Sequence, residues 1–251
     1  RSIMRLAPPP TAASLRALLL TPALTCRRSM ASTAAIEVER KFAASDPSAL
    51  RQRVEANGGQ VLGEKAFNDQ YWDNAQCTLT RRDTWLRRRQ DQWELKVPIV
   101  GSRRSGGETT SFREIEGTAA VAEALATLLE DWDGGDGGDG EPLTAEVLER
   151  RLRAARLAPF ADFGTVRARF SLGGCAIDAD VASFGHSVVE IEVMCASDGE
   201  VAAAEAEIER VAKLIEAQPL DAASGGKLET YIRRFCPDVL AQLLEAGVLT
   251  E

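Results

Sequence analysis

From Ile36 to Glu192 the chain repeatedly sets charges of one sign two residues apart, and this spacing most constrains what it can fold into. A β-strand turns alternate side chains to opposite faces, so residues i and i+2 share a face about 6–7 Å apart. Ile36-Glu-Val-Glu-Arg-Lys-Phe42 therefore puts Glu37, Glu39 and Lys41 on one side, with Ile36, Val38, Arg40 and Phe42 on the other. The same parity groups Trp85, Arg87 and Arg89, then Glu94 and Lys96, and then Glu114 and Glu116. Further along it groups Arg167 with Arg169, Asp178 with Asp180, and Glu190 with Glu192. The reverse faces are apolar, as in Trp93, Leu95 and Val97 or Val189, Ile191 and Val193.

An antiparallel sheet with one solvated face is the plain source of such alternation, but it ordinarily mixes signs. Like charges held side by side cost energy unless an opposite charge is supplied. The acidic pairs ask for a divalent cation. Their all-oxygen donors suit Mg²⁺, with Mn²⁺ as an alternative, and not zinc. The arginine forks and lysine ammoniums suit phosphate oxygens. Enclosed in one barrel, the two sets would make a site for a metal polyphosphate.

Turn and cap signals divide the rest. Ser45 or Asp46 with Pro47 predicts a helix start, and Gly58-Gly59 predicts its end. Strands are expected near Val61 to Trp72, Thr84 to Arg89, Gln92 to Val97 and Ser111 to Glu116, and again at Thr165 to Leu172, Cys175 to Val181 and Val188 to Cys195. Helices are expected at Ala119 to Glu130, Thr144 to Leu157, from a capping box at Ser197 to Glu200 onward to Ala217, after Ser224 and after Pro237. About eight strands interleaved with helices indicate an α+β fold, a barrel or strongly curved sheet. Asp131 to Glu141 holds a single GGxGxD unit, which a calcium β-roll would repeat, and it lacks the EF-hand glycine. It reads as a flexible acidic loop.

Composition narrows the function. The net charge is -8 and aromatics are 6%, which argues against nucleic-acid coating and base stacking. No apolar run reaches the roughly eighteen residues of a membrane span. Five scattered cysteines without a CxxC favour a reducing compartment, and the lone His186 reads as structural. Residues 1–35 carry five arginines and no Asp, Glu or Lys. That composition predicts a transit peptide, or else an untranslated or disordered leader. The expected location is thus the cytoplasm, or a mitochondrion or chloroplast if the leader is a transit peptide, with residues 36–251 as one catalytic domain.

Glu37-Val-Glu39-Arg-Lys41 resembles the ExExK signature of the CYTH, or triphosphate tunnel metalloenzyme, superfamily. The resemblance runs on through Trp85-Leu-Arg87-Arg-Arg89, Trp93-Glu-Leu-Lys96, the Arg167 strand, Asp178, Glu190-Ile-Glu192 and Lys227, spanning roughly Ile36 to Gly247. It implies an eight-stranded antiparallel β-barrel with flanking helices, whose lumen takes a triphosphate and Mg²⁺. The WLRRR and WELK segments, the Phe67 to Asp73 run and Val181-Ala-Ser-Phe-Gly185 are most similar to the thiamine triphosphatase branch.

The resemblance implies a metal set of Glu37, Glu39, Asp178 and Glu192. It implies phosphate contacts from Lys41, Arg87, Arg89, Arg167 and Lys227, with Trp85 stacked on the thiamine. Lys96 and Tyr71 match a pair associated with catalysis in that branch, and Glu190 would orient water or a ligand. Ringed by cations, Lys96 would have a lowered pKa and could transfer a proton. The implied partner is a small-molecule triphosphate, with no nucleic acid, no membrane and a monomeric chain. Alternatives are an inorganic tripolyphosphatase or adenylyl cyclase of the same fold, or a non-catalytic polyphosphate-binding module.

Overall fold

The computed structural model describes residues 35–99, 109–130, 132, 141–220 and 225–250. The basic leader up to residue 34 lies outside the described residues, as does the acidic loop apart from Trp132 and Glu141.

The charge-alternating segments form β1 (Ile36–Ala43), β2 (Gln60–Asp73), β3 (Trp85–Arg89), β4 (Gln92–Pro98), β5 (Thr110–Glu116), β6 (Ala158–Leu172), β7 (Cys175–Ala182) and β8 (Ser187–Cys195). They close into an antiparallel barrel in the order β1-β5-β4-β3-β2-β6-β7-β8. The expected α+β barrel is therefore the observed one. Closure leaves each strand a neighbour on both sides and abolishes the sheet edge.

The apolar parity of the strands points outward, mostly beneath helices, with Val166 and Val181 left exposed. The outer faces of β1, β7 and β8 pack Val38, Ile177 and Ile191 against Ile208 and Val211 of α4 (Val201–Leu214) and Leu50 and Val54 of α1 (Pro47–Ala56). Those of β2 to β4 pack Trp72, Leu86 and Leu95 against α2 (Thr118–Leu128) and α3 (Ala145–Ala154). The Trp93 indole N–H donates to the Ala145 carbonyl at 3.1 Å, pinning α3 to the barrel wall. Each fully buried Leu, Ile or Val contributes about 1.5–3 kcal/mol of transfer free energy. The hydrophobic core thus lies between barrel and helices, which frees the lumen for charge.

Caps and turns set the element ends. Asp46 accepts from the Ala49 amide at 2.8 Å, the N-cap expected of α1. Thr144 does the same for α3 through the Val147 amide at 3.3 Å. Glu200 reaches back to the Ala196 amide at 2.9 Å, while α4 begins after a single 3-10 turn. The main departure is β6, which begins at Ala158, well before Thr165. Pro159 and Gly164 disguise this segment as loop. The long β2 supplies its ladder partners, with Asp73 opposite Ala158 and Asp69 opposite Phe163. Two last helices, α5 (Lys227–Phe235) and α6 (Pro237–Glu245), follow.

Candidate functional site

Register decides which charges meet inside the barrel. Lys41 faces Glu190 and Glu39 faces Glu192 across β1 and β8. Arg167 faces Asp180 across β6 and β7, and Asp178 faces Glu190 across β7 and β8. On the other wall Arg87 faces Glu94, Trp85 faces Lys96, and Asp69 faces Arg89. Residues of the shared parity all belong to one lumen.

One cluster centres on Arg167. Its guanidinium donates to both Asp180 oxygens at 2.7 and 2.6 Å, to Glu190 at 2.8 Å and to Asp178. Lys227, the first residue of α5, donates to Glu190 at 2.9 Å and to Asp180. Gly226 sits close against the Lys41 side chain, where a Cβ would lie 2.7 Å from Lys41 Cε. The helix thus approaches the lumen closely enough to deliver Lys227. Tyr231 and Leu228 of the same helix pack on the inward-facing Phe163 and Ala161. Tyr71 joins them, stacked on Phe163 with centroids 6.1 Å apart.

A second cluster faces it. Lys96 pairs with Glu114 at 2.9 Å and with Glu37, while Lys41 pairs with Glu39. Arg87 pairs with Glu94 at 2.5 Å. Arg89 grips Asp69 with two hydrogen bonds, 2.6 and 2.8 Å long. The Trp85 indole N–H donates to Asp83 at 3.0 Å, and Asp83 has a positive φ of 56° that turns the chain into β3.

All thirteen residues expected in the site carry lumen parity or, for Lys227, reach the lumen from α5. The expected low Lys96 pKa is not found. Burial alone would lower it, but Glu37, Glu39 and Glu114 outweigh both burial and the neighbouring Arg87 and hold it well above its ordinary value. Burial likewise raises Tyr71, so its phenol keeps its proton. Lys227, Lys41 and Arg167 overcome burial at Glu190 and hold it well below the usual carboxylate range. His186 is buried beside Thr230, with its pKa lowered by burial and by Arg234. Arg88, of the opposite parity, is an outer-face residue paired with Glu149.

The four carboxylates expected to bind metal are not gathered into a cage. Among the described residues no three Asp, Glu, His or Cys side chains converge tightly enough to hold an ion. The donor chemistry nevertheless fits Mg²⁺. Glu37 is raised well above its ordinary value by burial and by Glu39, Glu114 and Glu192, despite Lys96. Burial, Asp178, Glu39 and Glu190 raise Glu192, which has no cation partner among the described residues. Asp178 is also raised by burial, and its Oδ1 is buried without a hydrogen bond. A hard divalent cation would relieve each of these oxygens.

Sequence parity alone left several participants unassigned. Asp69, Phe67 and Lys65 share the lumen face of β2 with Tyr71, and their alternation was the available signal. Glu94 and Asp180 prove to be the partners of Arg87 and Arg167.

A closed eight-stranded tunnel with acidic and basic side chains interleaved on its inner wall is the architecture of the CYTH class. The CYTH domain family model matches residues 35–224, and the chain belongs to that family. It is 32% identical over 222 residues to a thiamine-triphosphatase of Macaca fascicularis, covering 84% of this chain and 90% of that protein. The human thiamine-triphosphatase is 31% identical over the same length and coverage. Solved structures share the fold. A candidate adenylate cyclase of Vibrio parahaemolyticus superposes with a TM-score of 0.54 at 16% identity, covering 77% of this chain and 96% of that one. A protein of Pyrococcus horikoshii gives 0.52 at 15% identity, covering 77% and 98%. Among the described residues no helix is long and apolar enough to cross a membrane.

Proposed function

We propose that this protein hydrolyses thiamine triphosphate to thiamine diphosphate and orthophosphate inside the tunnel, with Mg²⁺ as cofactor. The observation that carries this reading is the set of buried or half-buried cations reaching one lumen from separate elements. They are Lys41 on β1, Arg87 and Arg89 on β3, Lys96 on β4, Arg167 on β6 and Lys227 on α5. The thiamine-triphosphatase relatives support the choice of substrate.

Phosphoanhydride hydrolysis needs positioning and charge neutralisation more than covalent help. The six cations would exchange carboxylate partners for phosphate oxygens, fixing the chain along the tunnel. Mg²⁺ held by Glu37, Glu39, Asp178 and Glu192 would supply further neutralisation of the phosphate oxygens. Lys96, held protonated by its carboxylates, suits donation to the leaving oxygen better than base catalysis. Tyr71, also protonated, is a second donor. Glu190, held anionic, suits orientation of the attacking water rather than removal of its proton.

Trp85 bears on the substrate. It starts β3 on the lumen face opposite Lys96, half-buried, with its N–H already engaged by Asp83. Its ring face therefore remains for a cationic heteroaromatic, a contact worth about 0.5–2 kcal/mol. Inorganic tripolyphosphate is the second reading, favoured by the number of lumen side chains that can address phosphate alone. Steady-state rates of Trp85→Ala on both compounds separate them. The loss of kcat/KM should be roughly 2- to 30-fold greater on thiamine triphosphate. Equal losses on the two would overturn the stacking role.

A further inference from the structure

Almost every lumen cation has a carboxylate partner. Lys41 has Glu39, Lys96 has Glu37, Arg87 has Glu94, Arg89 has Asp69, and Arg167 and Lys227 share Asp180 and Glu190. An arriving polyanion must displace these partners. Two cations of the same parity are different. Lys65 on β2 has no carboxylate within ion-pairing distance among the described residues. Arg169 on β6 comes no nearer to a carboxylate than 3.8 Å, at Asp178 Oδ1.

Lys65 and Arg169 are close to one another. Lys65 is registered with Arg167, and Gly63 with Arg169, so Arg169 lies on the diagonal from Lys65. The Lys65 pKa is lowered by partial burial and then by Arg169, Arg89 and Arg167, the signature of crowded positive charge. Phe67 stands between this pair and the interior. Lys65 Nζ is 5.4 Å from its ring centroid, the Arg89 guanidinium 3.9 Å and the Arg167 guanidinium 5.3 Å. Opposite Phe67 in the β2–β6 ladder, the Thr165 hydroxyl is buried and has no hydrogen-bond partner. Lys65 and Arg169 lie farther along the β2–β6 ladder from the α5 contacts at Ala161 and Phe163, and Lys65 is exposed.

We propose that Lys65 and Arg169 form an anion-landing subsite at the open rim of the tunnel, which captures a phosphoryl group before the ion-paired cations inside exchange partners. The subsite deepens the triphosphatase reading and rests on it for the identity of the anion. Arg89 and Arg167 continue the positive track past Phe67, and the Thr165 hydroxyl offers a hydrogen bond to an oxygen in transit. Fixed charge of this kind acts mainly on the association rate and loses effect as salt is added.

Stopped-flow tryptophan fluorescence on the full chain, with tripolyphosphate as probe, reads that rate without requiring turnover. Replacing both residues (Lys65→Gln with Arg169→Gln) should slow association about tenfold at low ionic strength and flatten its dependence on salt. The charge-retaining pair Lys65→Arg with Arg169→Lys should keep both near the wild-type values. Both positions are at least partly exposed, and matching thermal midpoints for the variants check that they fold. An association rate and salt dependence unchanged in the neutral double variant would overturn the subsite. If wild-type protein hydrolyses triphosphates while association is unaffected, the subsite falls and the triphosphatase reading stands. If association responds as expected but no triphosphate is hydrolysed, the subsite stands as an anion site and the triphosphatase reading falls. Absence of any tripolyphosphate binding overturns both.

Discussion

Asp69 holds Arg89 by a two-pronged grip: Nε donates to Oδ1 at 2.6 Å and Nη2 to Oδ2 at 2.8 Å, with the Asp69 side chain fully buried. The guanidinium is thereby fixed in the lumen against the Phe67 ring. Asp69→Asn removes one partner of a desolvated pair and should destabilise the metal-free protein by about 3–5 kcal/mol. The orphaned guanidinium would then find its best partner in an added polyanion. Thermal denaturation should accordingly show a larger rise in midpoint with tripolyphosphate for Asp69→Asn than for wild type. A smaller rise would mean that Arg89 does not face the ligand.

The stability of the metal-free protein should depend on pH in two opposed stages. Glu37, Asp178 and Glu192 have raised pKa values, so the folded state takes up protons more readily than the unfolded chain. Their contribution is present at low pH and is lost as pH rises through the folded values. Stability should therefore increase on acidification from neutral pH toward the ordinary carboxylate range. Glu190 and Glu39 are lowered and act the other way, losing their contribution as pH falls further. Thermal midpoints across this range should pass through a maximum, and saturating Mg²⁺ should erase the gain on the neutral side. A monotonic rise with pH in the absence of metal would contradict the assignment.

Glu192 faces Glu39 across the β1–β8 ladder and has no cation partner among the described residues. Glu192→Gln should stabilise the metal-free protein by about 0.5–2 kcal/mol at neutral pH, as relief of strain at a functional site commonly does. The same change should sharply reduce Mg²⁺-dependent turnover and the thermal shift produced by Mg²⁺. Calorimetry with and without the metal checks both. Destabilisation of the metal-free state would indicate that Glu192 is already satisfied by a neighbour.

The ion pairs that organise the tunnel follow strand register, and this sets how far the sequence could be read. Parity alone put Glu37, Glu39, Arg87, Arg167 and Glu190 on lumen faces, because a period of two needs only local spacing. It could not say that Glu94 stands opposite Arg87, Asp69 opposite Arg89 or Asp180 opposite Arg167. Those pairings depend on how strands distant in sequence align. The error at Lys96 has the same origin. Its nearby cations are visible in the sequence, but Glu37 and Glu114 arrive from β1 and β5 and reverse the expected shift. The first half of β6 was hidden because Pro159 and Gly164 are poor strand formers, and only its pairing with the long β2 makes it a strand.

Phosphate release by the full chain from thiamine triphosphate, measured beside tripolyphosphate and ATP with and without Mg²⁺, tests the central claim most directly. One orthophosphate should appear per thiamine diphosphate formed, its release should be lost when Mg²⁺ is chelated, and kcat/KM should be highest on thiamine triphosphate. Absence of phosphate release from thiamine triphosphate in the presence of Mg²⁺ or Mn²⁺ would contradict it.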